Sequence, residues 1–70
     1  MALTWRPEGR SDTPDRFNGY DDEGQLRGWV WRITDERWLG AVVTVGGSDR
    51  VAGERRDSEA AMALVDERST

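Results

Sequence analysis

The stretch GWVWRITDERWLGAVVTV, residues 28–45, holds three of the four tryptophans of this 70-residue chain. Before the tripeptide DER, Trp29, Trp31 and Ile33 occupy alternate positions, as they would on one face of a strand. The residues after DER are rich in β-branched side chains, which favour strands. The tripeptide Asp35-Glu36-Arg37 is typical of a turn. This stretch therefore predicts a β-hairpin, with one strand over residues 25–34 and another over residues 38–45.

The sequence upstream of the hairpin predicts further strands. Acidic residues followed by a glycine at positions 21–24 indicate a turn, which joins the hairpin to a short strand over residues 17–20. Residues 7–16 contain both prolines and lack apolar periodicity, so they are predicted to form a loop or an ordered arm. A short strand over residues 3–6 precedes them, and Trp5 is expected to anchor this arm to the body.

Downstream, the glycine-rich turn at residues 46–49 leads into a weaker strand over residues 50–55. Asp57 and Ser58 are then candidate N-cap residues, and Glu59 lies where the helix dipole favours an acid. Apolar residues at helical spacing predict a helix over residues 58–68. The predicted fold is α+β: an antiparallel meander of three or four strands with one C-terminal helix packed on one face. A single domain, residues 1–70, comprises an arm (1–16), a sheet (17–55) and a helix (57–68).

The register of the hairpin determines which side chains share a face. If Ile33 pairs with Leu39, one face carries Trp29, Trp31, Ile33, Leu39, Ala41 and Val43. The reverse face then carries Val30, Arg32, Trp38, Gly40 and Val42. If Ile33 pairs instead with Trp38, all three tryptophans lie on one side, because a shift of one residue inverts the assignment. The first register is favoured because it builds the cleaner core, with Trp29 and Trp31 inside it.

Either register leaves a second, partly apolar face, and one short helix can cover only one face. An apolar patch with a polar rim indicates contact with a partner, and tryptophan and arginine are enriched in interface hot spots. The alternatives are that the arm folds back and Trp5 covers this side, or that a homodimer forms through it. The candidate partner-binding residues are Trp38, Arg32 and Val30 on this patch, and Asp21, Asp22 and Glu23 in the acidic turn.

The composition argues against catalysis and cofactor binding. Cysteine and histidine are both absent, which removes disulfides, thiolate sites and the common zinc, copper and iron ligand sets. No phosphate-binding glycine motif occurs, and carboxylates in a turn are expected to be solvated. We therefore expect a protein that is not an enzyme and binds no cofactor or metal.

Charge and hydropathy indicate which partners and which cellular compartment to expect for this chain. The formal net charge is −4, which disfavours nucleic acid as the main partner. All the basic residues are arginines, which indicates a high-GC genome, bacterial or phage. The N-terminus has no signal-peptide pattern, and no run approaches the ~20 apolar residues of a membrane span. A cytoplasmic protein without a membrane partner is expected.

The order of strands followed by a helix that opens on GERRDSEAA resembles the arm-type DNA-binding domains of phage integrases and the related AP2-like domains. The resemblance covers roughly residues 25–68 and rests on layout. It implies a sheet that enters the major groove, braced by the helix. The arginines that would contact phosphates in that case are Arg27, Arg32, Arg37, Arg50, Arg55 and Arg56.

A tiny, acidic, cysteine-free α+β chain also resembles the small inhibitors encoded by phages and mobile elements, anti-CRISPR proteins in particular. This resemblance of type implies stoichiometric binding that blocks a larger protein or protein–nucleic acid complex. Some such inhibitors present carboxylates in place of phosphates. The acids that would do so here are Asp12, Asp15, Asp21, Asp22, Glu23, Asp57, Glu59, Asp66 and Glu67. An inhibitor or adaptor is the leading hypothesis, a sheet-based DNA-binding module is the alternative, and a structural subunit that dimerises is the third.

Overall fold

A computed structural model describes residues 2–9 and 12–69 of the chain. The strands form one antiparallel sheet in chain order, on which a single helix packs. The elements are β1 (Thr4–Pro7), β2 (Arg16–Tyr20), β3 (Leu26–Thr34), β4 (Arg37–Val43), β5 (Asp49–Arg55) and α1 (Ser58–Arg68). The predicted α+β class is confirmed, with five strands rather than three or four. The additional edge strand is β1, which pairs along β2 and so places part of the predicted arm in the sheet.

The hairpin register differs from the favoured prediction by two residues. Trp31 pairs with Leu39 and Arg32 with Trp38, and a bulge lies between Arg32 and Thr34, where Ile33 has no partner. Because strand side chains alternate with a period of two, a shift of two residues preserves the faces. Trp29 and Trp31 therefore share a face with Leu39, as expected, although Ile33 does not pair with Leu39.

The helix covers the face opposite to the one expected. Its buried residues are Ala61, Leu64 and Val65. On the sheet, Val30 is fully buried and Trp38 is only 8% exposed, both on the face that the favoured register assigned to a partner. The prediction that Trp29 and Trp31 form the covered core is therefore wrong. The core cluster consists of Leu3, Val30, Trp38, Ala61 and Val65, with Trp5, Phe17, Val42, Ala52 and Met62 packed against it.

Glycines on the covered face explain why the helix lies there. Gly19 pairs with Gly28 across β2 and β3, and Gly40 pairs with Gly53 across β4 and β5. A Cβ atom on Gly40 would lie 2.9 Å from Cγ2 of Val65, and one on Gly28 would overlap Cγ1 of the same side chain. The helix backbone can approach the sheet only where these side chains are missing. The opposite face carries Trp29 and Trp31 at the corresponding positions and offers no such space.

Both ends of the helix are fixed by aspartates. Asp57 is the N-cap, as predicted, and its Oδ1 accepts a 2.7 Å hydrogen bond from the backbone N–H of Ala60. Near the other end, Oδ1 of Asp66 accepts a 2.8 Å hydrogen bond from the N–H of Leu3. The indole N–H of Trp5 lies 3.5 Å from the other oxygen of Asp66. Trp5 thus lies on the covered face at β1. It anchors the N-terminal segment to the body, as the sequence predicts.

Candidate functional site: the open face of the sheet

The face of the sheet that points away from α1 is apolar at its centre and has no covering element among residues 2–9 and 12–69. We call this surface the open face. Trp31 is 52% exposed and Val51 is 64% exposed. Its apolar members are Trp29, Trp31, Leu39, Ala41, Val43 and Val51. The exposed members, Trp31 on β3 and Val51 on β5, lie on either side of β4, where Leu39 is partly buried and Ala41 is fully buried. Exposed apolar side chains with a polar rim are typical of an interaction site.

Trp29 is partly shielded by an arginine of the neighbouring strand. The guanidinium carbon of Arg16 lies 4.9 Å from the centroid of the Trp29 ring, a cation–π geometry. The indole N–H of Trp29 is buried and has no acceptor among the described residues. An unsatisfied buried donor costs about 1–3 kcal/mol, and the described residues leave this one donor of the open face unsatisfied.

Charged side chains border the apolar centre on two flanks. The flank formed by β1 and β2 carries Arg6 and Arg16, and Arg16 forms a 3.1 Å ion pair with Glu8. The opposite flank carries Asp49 and Glu54 of β5, and Glu54 pairs with Arg37 of β4. Counting these groups, the first flank is positive by one charge and the second is negative by one. The rim of the open face is thus close to neutral overall and polar from one edge to the other.

The predicted patch of Trp38, Arg32 and Val30 does lie on one face, but that face is inside. Val30 and Trp38 are buried beneath α1, and the Trp38 ring lies 6.0 Å from the Phe17 ring. The prediction that they form an accessible patch is therefore wrong, because the glycine pairs bring the helix to this side. Arg32, at the end of the covered face, is half-exposed and pairs with Asp15 at 2.6 Å and Asp35 at 3.3 Å.

The acidic turn is built around Asp21. Its Oδ1 accepts 2.9 Å hydrogen bonds from the N–H groups of Glu23 and Gln25, and its Oδ2 pairs with Nε of Arg27 at 2.8 Å. The Arg27 hydrogen bond, followed by the Gln25 N–H, holds the pKa of Asp21 below its ordinary value of 3.8. A lowered folded-state pKa stabilises the turn above pH 3.8, and this contribution is lost as pH falls through the lowered value.

Asp21 is thus occupied in holding the turn, whereas Asp22 and Glu23 are exposed. Partner binding by these three acids stays a prediction.

The sequence interpretation missed that Trp31 and Val51 are exposed on the open face, and a signal for it is present in the chain. Gly28 and Gly40 have the opposite parity to Trp29, Trp31 and Leu39 along their strands. Mid-strand glycines indicate close approach of another backbone. Their parity could therefore have indicated which face the helix covers. The rim residues Arg6, Arg16 and Asp49 were missed because the pairing of both edge strands had to be known first.

The arginines expected to contact phosphates are divided between surfaces: Arg37, Arg55 and Arg56 line one cleft together with Glu36 and Glu54, and the others lie elsewhere. Arg27 is held in the turn by Asp21, Arg32 lies on the side of the helix, and Arg37 lies on the open face. Within the described ranges, no three or more carboxylates are grouped so as to hold a metal ion. In the same part of the chain, no helix is long and apolar enough to cross a membrane.

Comparisons of the chain with protein-family models, with curated proteins and with solved structures found no match.

Proposed function

We propose that this chain is a non-enzymatic binding protein that contacts a partner protein through the open face. The observation that carries the proposal is the half-exposed Trp31 on the central strand of that face, opposite Leu39 of β4. A tryptophan in such a position leaves a large apolar area in water, and burying it against a partner is favourable. The polar rim supplies hydrogen-bonding groups of the kind that surround protein interfaces.

The charges favour a protein over a nucleic acid as the partner. A sheet that stacks on bases usually combines its aromatic side chains with unpaired cations that follow the phosphate backbone. Here Arg16 is paired with Glu8 and Arg37 with Glu54, so most of the positive charge on the open face is already neutralised. The chain as a whole carries a formal charge of −4, which adds repulsion. A neutral, mixed-charge rim around tryptophans fits a protein surface better.

Stoichiometric inhibition of a larger protein or protein–nucleic acid complex, of the anti-CRISPR type, is the biological form that this proposal takes. In this 7.9 kDa chain, the open face is the largest contact surface that the described residues present. An inhibitor of this size acts by occupying a surface, which needs no catalytic group. The setting that this implies is the cytoplasm of a bacterial host.

A capture experiment with matched variants tests the use of the open face. Trp31→Ser and Val51→Ser alter the open face, whereas Val45→Ser removes an equally apolar side chain from the β4–β5 turn, where it is 91% exposed. From bacterial lysate, the wild type and Val45→Ser should capture the same protein in stoichiometric amounts. Trp31→Ser and Val51→Ser should lose it while remaining folded by circular dichroism. Equal capture by all four proteins would exclude the open face as the binding surface.

The nucleic-acid alternative is tested directly with random duplex and single-stranded oligonucleotides. We expect no measurable binding at physiological salt. Binding that weakens steeply with salt and is lost in Trp31→Ser would replace the proposal with a sheet-based nucleic-acid-binding module.

A further inference from the structure

We infer that, in the absence of another partner, the open face is occupied by a second copy of this chain. The two sheets would pack face to face about a two-fold axis that runs parallel to β3. This inference rests on the proposed use of the open face as a contact surface and names its occupant. Two stacked sheets with interdigitating apolar side chains form a stable layered arrangement, and here each sheet already carries a helix on its outer side.

The size of the open face suits such a dimer. The nine residues of β3 span roughly 30 Å and five strands span roughly 20 Å, which agrees with molecular extents of 30 × 24 × 20 Å. Because the strands contain 4, 5, 9, 7 and 7 residues, the face presents roughly 500 Å², or roughly 1,000 Å² for two copies, which reaches the lower limit for a biological interface. A small chain without disulfides or a metal commonly gains stability by such association.

Cross-strand pairing places opposite charges at opposite edges of the open face. Arg6 pairs with Asn18, Asn18 with Trp29, Trp29 with Ala41, and Ala41 with Val51. These residues form one row that runs from the β1 edge to the β5 edge. Asp49 lies two residues from Val51 along β5, on the same face and in the neighbouring row. Arg6 at the β1 edge and Asp49 at the β5 edge thus lie in neighbouring rows of the open face.

This arrangement discriminates between the two possible directions of an in-plane two-fold axis. An axis that runs across the strands would place each β1 over the same strand of the second copy, so that arginines face arginines. It would also bring the acids of β5 together. An axis along β3 places β1 of one copy over β5 of the other and keeps the rows in register. Arg6 of each copy then lies above Val51 and beside Asp49 of its mate, and the pair occurs twice by symmetry.

One like-charge approach results from this axis, and it is compensated. Glu8, which lies beside Arg16 at the β1 edge, comes into the same row as Glu54 of the second copy. Each carboxylate already has its own arginine, Arg16 for Glu8 and Arg37 for Glu54. The row therefore brings two ion pairs together with their carboxylates adjacent, and each carboxylate keeps its own arginine.

Sedimentation equilibrium over a concentration series tests the dimer. We expect the mass to rise from 7.9 kDa at low concentration to twice that value at high concentration. Trp31→Ser, which acts twice in a symmetric interface, should weaken association by about a hundredfold. Val51→Ser should weaken it less, and Val45→Ser should leave it unchanged.

Charge reversal tests the direction of the axis. Arg6→Asp alone and Asp49→Arg alone should each weaken the dimer by about tenfold, because each creates two like-charge contacts. The double variant should return the dissociation constant to within about threefold of the wild type, since the pair is re-formed with its charges exchanged. Ala63→Asp, which adds a charge at an exposed position of α1, is the control and should leave the dissociation constant unchanged.

Each outcome decides the inference. A monomer at every concentration overturns it but leaves the proposed function standing if capture of a partner still depends on Trp31. A dimer that is indifferent to Trp31→Ser places the contact elsewhere and overturns it too. A dimer lost in Trp31→Ser but not restored by the double reversal rejects the axis along β3.

Discussion

The two faces of the sheet differ more in the size of their side chains than in their polarity. The covered face combines Val30 and Trp38 with Gly28, Gly40 and Gly53, and α1 lies against it. The open face carries Trp29 and Trp31 on the central strand and leaves them without a covering element within the described residues. Apolar character alone therefore does not select the face that becomes the core. A helix packs where missing side chains let its backbone approach.

The comparison also separates two uses of tryptophan. Trp38 and Trp31 lie on neighbouring strands, and their exposed fractions are 8% and 52%. Trp38 is part of the core cluster on the covered face, with its ring 6.0 Å from that of Phe17. Trp31 lies on the side that the helix cannot reach. The same side chain is thus structural on one face and available for contact on the other.

The largest expected effect is that of Trp38→Ala. Removal of this buried ring leaves a cavity between the sheet and α1, and substitutions of this kind cost about 3–5 kcal/mol. For a chain of this size, that loss approaches the whole stability of the fold. Urea denaturation followed by circular dichroism measures it. A cost below 1 kcal/mol would contradict the assignment of the covered face as the core.

Gly28→Ala should have the next largest effect on the stability of the fold. The new methyl group would overlap Cγ1 of Val65 and lie 3.0 Å from the carbonyl oxygen of Ala41, so the helix must shift. Overpacking of this kind costs roughly 1–3 kcal/mol. Gly46→Ala is the matched control, because its Cβ would meet only Oγ1 of Thr44 at 4.0 Å. Equal stability of the two variants, measured by thermal denaturation, would mean that the helix does not depend on the glycine pairs.

Asp66→Ala should cost about 1–2 kcal/mol, since the backbone N–H of Leu3 loses its acceptor and the Trp5 indole loses its nearby carboxylate. Hydrogen exchange should then quicken in β1 first, because this strand is held to the helix by that carboxylate. Asp66→Asn keeps one acceptor oxygen and should recover part of the loss. Unchanged exchange in β1 would show that its pairing with β2 alone holds it in place.

The smallest expected effect on stability is that of Trp31→Ala. An exposed side chain on the open face contributes little to the fold of the isolated chain, so the cost should stay within about 0.5 kcal/mol at concentrations where the chain is monomeric. The measurement is the same urea titration used for Trp38→Ala. If the two tryptophan variants were equally destabilised, the distinction between the two faces would fail.

Local patterns in the sequence predicted the antiparallel arrangement, the helix bounds and the sets of residues that share a face. Alternation, turn residues and the N-cap at Asp57 act between near neighbours, so a linear pattern carries them. The pairing of β1 with β2 was not predicted, because it joins strands on either side of the residues expected to form a loop. The set containing Trp29, Trp31 and Leu39 was predicted as a unit and lies together.

Only the tertiary structure decided which of the two sets of side chains on the sheet lies in the core. Packing α1 against the sheet depends on contacts such as Val65 against Gly28 and Gly40, which join residues far apart in sequence. Because the helix covers the face of Trp38 and Val30, the candidate site lies on the opposite face, with Trp31 and Val51. The alternation of side chains along a strand defines two faces, but it does not indicate which of the two is buried. Only the space available to a second element, set by side chains on several strands at once, determines the buried face.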